Sequence, residues 1–562
     1  MAGRAAVALA GALLAGVTAG CVSLPHYAPS VRTYYVSADG DDSAAGTSPD
    51  RAWRTLARAD RTALEPGDRL LLRGGTRFAG TLTIGADEAG DADRPVVVGS
   101  YGEGRATVSA GSSPGVSVHN TAGVEIRDLT VVGPGTAESD QAGVNLYNDA
   151  AGGERKRHVL VTDVNVSGFR VGVAVGSSVV GSGFRDVTVR RAQLHGNRDA
   201  GLLTYGPRLD AARPAYAHEN VALERVDAFD NAGDPSVNNR HTGSGIIIGG
   251  VRGATVRESR AYDNGRRSGP RAPVGPAGLW AYDSTGVLIE HSAAYRNHTG
   301  NNLDGSGFGL DSNTSDSTVQ YNLSFHNDGP GYYVFQHDRN GRHRNNTIRY
   351  NISSNDGRKL PHHGALTVYG IDVRDLTVHN NTVVMRTSPA GPGTVMLVHS
   401  RIHGVSIRNN ILVSDGYPLV TSEAATTDRI VFQGNQYHAT GSWTVRWPDA
   451  EYRSLAAWRE ATGQERVGTR ASGTSADPCL SGGALPDITS PANAAAIVPR
   501  CPHAGLDLRS LFGTDPGPVD YFGHRLTTPP VIGAAQPWKR ADREEHRARV
   551  RHMSTLAPVI RQ

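Results

Sequence analysis

Five asparagines, Asn322, Asn351, Asn381, Asn410 and Asn435, each stand three positions after an apolar residue (Val319, Ile348, Val378, Ile407 and Phe432) and recur at intervals of 29, 30, 29 and 25 residues. A recurrence of about 20–30 residues built on short apolar segments marks a solenoid, in which one small unit stacks on the next. Asparagines brought into register by that stacking can hydrogen-bond along the axis, as side-chain ladders do in cross-β assemblies. Upstream, Leu223, Val256 and Ile289 keep the apolar register, with Val226, Ser259 and Ser292 at the ladder position.

A second, glycine-led segment precedes each of these: Gly143–Tyr147, Gly201–Tyr205, Gly245–Ile248, Gly278–Tyr282, Gly307–Asp311, Gly331–Phe335 and Gly364–Tyr369. Alternation sends one set of side chains inward and the other outward. The inward set is Val144/Leu146, Ile246/Ile248, Leu279/Ala281, Phe308/Leu310 and Tyr332/Val334, and the outward set is rich in aromatics: Tyr147, Tyr205, Trp280, Tyr282, Tyr333, Phe335 and Tyr369. Short strands, glycine turns, an Asn ladder and no long helical pattern resemble the right-handed parallel β-helix superfamily typified by pectate lyases and polygalacturonases. The resemblance runs over roughly residues 33–535, and Tyr34–Asp42 followed by Gly46–Pro49, with Pro66–Arg73, resemble the opening of secreted members. It implies an all-β solenoid; one such fold hosts many functions.

A solenoid exposes unpaired backbone at each end and therefore needs caps. Residues 33–105 are read as the N-terminal cap and first coils, with a capping helix opened by Ser48-Pro49 and faced by Trp53, Leu56, Ala57 and Leu64, then strands at 69–73, 81–84 and 95–100. Coils fill 106–440, interrupted by insertions at 134–141, 206–219, 232–243, 265–276 and 356–363 that are expected to wall a cleft on the outward face. Residues 441–535 form a C-terminal cap with a short helix near 452–460, and 536–562 a solvated basic tail. Glycine, 68 of 562 residues, fits recurrent turns. A net charge of +3 with scattered arginines argues against nucleic acid as a partner.

Arg4 followed by small apolar residues 5–19, too short for a membrane span, reads as an export signal ending at 21. Thr18-Ala19-Gly20-Cys21 resembles the bacterial lipoprotein box, with Thr18 departing from its usual leucine. The resemblance implies lipidation of Cys21, residues 22–32 as a tether, and membrane contact through the lipid alone; ordinary cleavage with secretion is the alternative. Either way the protein is extracellular, where Cys479 and Cys501 are expected to pair. A monomer is expected.

The chemistry concentrates at 301–337. Asp304-Gly305 and Asp328-Gly329 occupy equivalent turns on successive coils, and strands that stack about 4.8 Å apart make their carboxylates neighbours. Asp311 stands outward on the strand between them, with His326, His337 and Asp338 nearby and Asp283 ending the preceding strand. Close carboxyls hold one another's pKa apart, giving the acid and the base or nucleophile that glycosidic-bond hydrolysis needs. Trp280, Tyr282 and Tyr333 offer flat faces to sugar rings, and His363 lines the cleft. The first expectation is thus a polysaccharide-cleaving hydrolase without cofactor, using Asp304, Asp311 and Asp328. The second is a lyase: Asp304, Asn327 and Asp328 resemble the calcium aspartates of a pectate lyase family, with Lys359 or Arg358 as base, although Asn327 replaces an Asp and Gly331 stands where another is due. The third is a non-catalytic carbohydrate-binding or surface scaffold.

Overall fold

The computed structural model describes residues 31–538, apart from 87, 89, 338–340, 391–392, 399–401 and 424–428. The segment expected to be an export signal, Cys21, most of the expected tether, Asp338 and residues 539–562 lie outside the described residues. Among the described residues the strands form two large sheets of 26 and 14 strands, parallel throughout except for the terminal pair Val445–Trp447 and Ala450–Tyr452. The 14-stranded sheet is the glycine-led column, running from Leu82–Ile84 through Ala142–Tyr147, Ala277–Tyr282, Ser306–Leu310 and Tyr332–Gln336 to the last coil. It also contains Val171–Gly176, an additional coil between those led by Gly143 and Gly201. The expected inward set is buried within one continuous core.

The ladder forms as the spacing requires. The side-chain oxygen of each asparagine accepts from the backbone and side-chain N–H of the one before it: Asn322 to Asn351 at 2.9 and 3.1 Å, Asn351 to Asn381 at 2.9 and 3.0 Å, and Asn381 to Asn410 and Asn410 to Asn435 at 2.9 Å throughout. Each Nδ2 also donates to the carbonyl of the apolar residue one coil back, Ile289, Val319, Ile348, Val378 or Ile407, which is why the pattern pairs an Asn with an apolar residue. Upstream, Val226 and Ser259 donate their N–H groups to Ser259 Oγ and Ser292 Oγ, and Ser292 to Asn322. At the far end Glu465 accepts from Asn435 Nδ2 at 2.8 Å.

A second ladder runs at the next turn: Asn197, Asn231, Asn264, Asn297 and Asn327, closed by Asp356, with links of 2.7–3.1 Å. Buried amides in such numbers are tolerable only because each is satisfied.

The ends differ from the simple expectation. Ser48-Pro49 open only a 3₁₀ turn, Pro49–Arg51, and the α-helix is one turn, Leu56–Ala59, capped by Thr55. The helix starts late because Trp53 is extended, bridging to Val36, and Ala59 rather than Ala57 turns inward. At the other end the helix Leu455–Thr462 drives fully buried Trp458 against Phe432, Tyr437 and Trp447, closing the core. The chain beyond it does not stay at the end. It doubles back along the flank, where Ile488, Ile497, Ile532 and Ala534 cover Tyr295, Phe325, Ile352 and Ile411. The Cys479–Cys501 disulfide ties this returning segment.

Replacing Asn381 by Ala strips acceptors from two Asn351 N–H groups and leaves a void. At about 1–3 kcal/mol for each stranded polar group, denaturant unfolding should show a loss of several kcal/mol; a change below about 1 kcal/mol would mean that the ladder is not what stabilises the stack.

Candidate active site

The strand Ser306–Leu310 lies between Ala277–Tyr282 and Tyr332–Gln336 in the glycine-led sheet, with Ile247, Trp280, Gly309 and Tyr333 aligned on the outward face. Gly309 is required there. A Cβ at this position would sit 2.1 Å from Cζ of Tyr333, so the phenol folds back over the bare backbone and its hydroxyl reaches Asp311 Oδ2 at 3.4 Å. Asp304 and Asp311 stand at the two ends of this strand.

Asp304 adopts a left-handed conformation, φ 55°, followed by Gly305 at 75°, and this turn directs its carboxylate toward the preceding coil, where Oδ2 accepts from Gly275 N–H at 2.8 Å. Burial pushes its pKa up to about 7, and the charge of Asp311 adds to the rise. Asp311 donates its N–H to Ala281 O at 2.7 Å and accepts at Oδ1 from Ser312 N–H at 2.6 Å. Burial pushes Asp311 up to about 6, against its hydrogen bonds from Ser312 and Tyr333 and with a contribution from Asp283. Burial, then the charges of Asp311 and Asp304, raise the Tyr333 phenol and keep it a neutral donor. Asp283 is held by Asn313 Nδ2 at 2.7 Å and Leu209 N–H at 3.3 Å.

The insertions border this face. Leu209 of the 206–219 insertion docks on Asp283. The 232–243 insertion is tied by Arg240 to Asp199 at 3.0 Å and lays His241 edge-on against Trp280, ring centroids 5.4 Å apart. The 265–276 insertion reaches Asp304 through Gly275 and is held by Asn301 Nδ2 on Ala272 O. The 356–363 insertion crosses to the coil of Thr299 and Asn302 through Lys359 and His362.

Several expected roles change. Asn327 is not placed to ligate a metal: it is fully buried in the second ladder, its oxygen accepting from Asn297 and its Nδ2 donating to Ala294 O, Ser324 Oγ and Asp356 Oδ1. Asp328 does stack beside Asp304, with Gly329 N–H on Gly305 O at 3.0 Å. Its carboxylate, however, is committed to Thr299 N–H at 3.0 Å, His298 Nδ1 at 3.2 Å and Lys359 Nζ at 3.7 Å. Lys359 also donates to Thr299 O, so it closes a turn instead of facing the Asp304–Asp311 strand as a base. His337 is exposed, its ring edge-on to Phe335 and its N–H on Ser312 Oγ at 3.4 Å. His363 is buried, and burial pushes its imidazole down to about 3, a neutral ring whose Nδ1 has no partner among the described residues. Trp280 and Tyr333 are 8% and 7% exposed, so they form the floor of the site, not the open platforms expected. Tyr282 packs against them half-buried, 5.5 Å from Trp280. Sequence reading did not find His241 or Ser312; neither carries a periodic signal, because one sits in an insertion and the other in a turn.

Among known proteins, one curated relative is a lacto-N-biosidase of Bifidobacterium longum subsp. longum, 43% identical over 74 residues. That match takes in 13% of this chain and only 5% of the relative's length. Among solved structures, the GH136 lacto-N-biosidase from Eubacterium ramulus aligns at 18% identity over 62% of this chain and 64% of that one, TM-score 0.48. Pectate lyase Pel9A aligns at 19% identity over 72% and 80%, TM-score 0.38. The family model described as right handed beta helix region matches residues 142–437, a span that includes both Asp304 and Asp311 and more than half of the chain. This protein therefore belongs to the right-handed β-helix family.

Proposed function

We propose that this protein is a carbohydrate-active enzyme, a glycoside hydrolase in which Asp304 is the general acid and Asp311 the base or nucleophile. The observation that carries the reading is the pair itself: two partly buried carboxyls at the ends of one strand, raised to about 7 and about 6, on either side of Tyr333. Between those two values the higher group mostly keeps its proton and the lower one is mostly ionised, which is the division of labour that glycosidic cleavage demands. Asp304 gives its proton to the leaving oxygen. Asp311 either attacks the anomeric carbon or takes a proton from the attacking water. The local likeness to a lacto-N-biosidase supports hydrolysis. The lyase alternative needs Asn327 and Asp328 free to ligate and Lys359 free to abstract, and their contacts argue against that.

The test is turnover on a panel of neutral and acidic oligosaccharides and aryl glycosides, lacto-N-biose derivatives included, followed by reducing ends and by the ultraviolet absorbance of unsaturated products. Reducing ends without that absorbance are expected; chelator-sensitive absorbance would replace the reading with a lyase. Asp304→Asn and Asp311→Asn should each lower turnover by roughly 10²–10⁴-fold. Aryl glycosides with good leaving groups should rescue D304N and not D311N, because only the acid becomes dispensable.

The same acids set a pH signature. The rate should rise as Asp311 ionises near 6 and fall as Asp304 ionises near 7, a narrow bell belonging to the pair. Because both folded-state values lie above the ordinary 3.8, the folded protein holds more protons than the unfolded chain between 3.8 and 7, and stability falls as pH rises through that window. D304N and D311N should therefore melt higher than the wild type at pH 8, with the gap closing toward pH 4. Equal melting at pH 8 would mean that the carboxyls titrate normally.

A further inference from the structure

Glycosidases set their two carboxyls on opposite sides of the scissile bond. A glycan held between Asp304 and Asp311, at the two ends of one strand, therefore crosses that strand and runs along the solenoid axis. Toward the N-terminal coils the way is closed within one rung. Gly275 N–H sits on Asp304, His241 lies edge-on against Trp280, and Leu209 N–H sits on Asp283, which the register pairing Ala281 with Leu310 sets beside Ser312. Toward the C-terminal coils the middle of the sheet is closed as well: Thr367 and Met396, which follow Tyr333 in that column, are buried.

The column of Asp311 stays open. Leu310 pairs with Val334, which puts Asp311 beside Phe335, and Phe335 pairs with Tyr369. At strand spacings of 4.7–4.9 Å the two rings follow Asp311 at about 5 and about 10 Å along the axis. They stack on one another, centroids 5.2 Å apart and planes 26° from parallel. Phe335 is half-buried and packs against the floor that holds Trp280 and Tyr333. Tyr369 is 36% exposed, and among the described residues it is the only phenylalanine, tyrosine or tryptophan that open to solvent. One rung further the column ends on buried Val398. The core does not call for either ring, since Val334 and Val368 fill the inward positions of these strands. A single exposed tyrosine needs no explanation; this one is the outer member of a pair that prolongs the floor of the acid site on the side its walls leave open.

We infer that Phe335 and Tyr369 form a sugar-binding subsite, and that the glycan leaves the acids toward the C-terminal coils across these two rings. Apolar rings beside an ionisable carboxyl suit an uncharged sugar that presents its C–H face. The inference rests on the hydrolase reading for where the cleaved bond lies, and not for the sugar contact itself.

Calorimetry on D311N protein tests it, with cellotriose, β-1,4-galactotriose and triacetylchitotriose as probes, each beside its own disaccharide. At least one trimer should bind. Y369A should weaken that trimer about fivefold or more and its dimer less than about twofold, whereas Y369F should keep the affinity, because the ring and not the hydroxyl makes the contact. No binding of any trimer, trimer binding untouched by Y369A, an equal loss for trimer and dimer, or a loss in Y369F as large as in Y369A would overturn the subsite. Wild-type turnover is read separately. Trimer binding that depends on the Tyr369 ring without turnover on any substrate removes the hydrolase reading and leaves the subsite standing; turnover with a trimer KM indifferent to Y369A removes the subsite and leaves the hydrolase.

Discussion

Buried side-chain amides hold this solenoid in register, and its surface inherits that register. Parallel β-helix coils could slip by one residue at low backbone cost, and a slip would turn every inward side chain outward. The ladder from Asn322 to Asn435 makes slippage costly, since each amide both accepts from its neighbour and donates one coil back. The second ladder, Asn197 to Asp356, does the same at the turn that leads into the glycine-led sheet. Both end on an acid, Glu465 or Asp356, whose two oxygens absorb the donors left over where the repeat of amides stops.

Because the turns are fixed, so is the placement of Asp304 and Asp311. Asp304 depends on a left-handed residue ahead of a glycine, and Asp311 on Tyr333 lying flat over Gly309. Insertions anchored on Asp283, Asp199 and Asn301 then withdraw the strand from water. Desolvation is the leading cause of both raised pKa values, so acid strength at this site is a product of the walls as much as of the pair. The same walls cost stability, as expected where a fold keeps carboxyls from water.

The solenoid was legible because stacking imposes a period on the sequence. The Asn–apolar pairing and the glycine-led strands report contacts that recur every coil, and the inward residues follow by alternation. The second ladder carries an equally regular sign, an Asn two residues after an aromatic at Asn231, Asn264, Asn297 and Asn327. Proximity of Asn327 to Asp328 invites a metal-ligand reading instead, and only the three-dimensional path shows its side chain turned inward. The places of Asp304, in the turn before a glycine-led strand, and of Asp311, at the end of that strand, were legible. The commitment of Asp328 and Lys359 to the Thr299 turn was not, because it depends on how an insertion crosses a neighbouring coil. The returning C-terminal segment escaped for the same reason: its apolar residues answer to a surface laid down 130–160 positions earlier, as Ile488 on Ser354 and Asp487 on His326 illustrate.

The central claim is that burial separates the Asp304–Asp311 pair from ordinary carboxyls. Carbon-13 NMR titration of aspartate side-chain carboxyls, assigned with D304N and D311N, tests it without any substrate. The account predicts two resonances that titrate well above the rest, one near 7 that vanishes in D304N and one near 6 that vanishes in D311N. If both titrate with the surface aspartates near 4, the site lacks its acid and the functional reading fails.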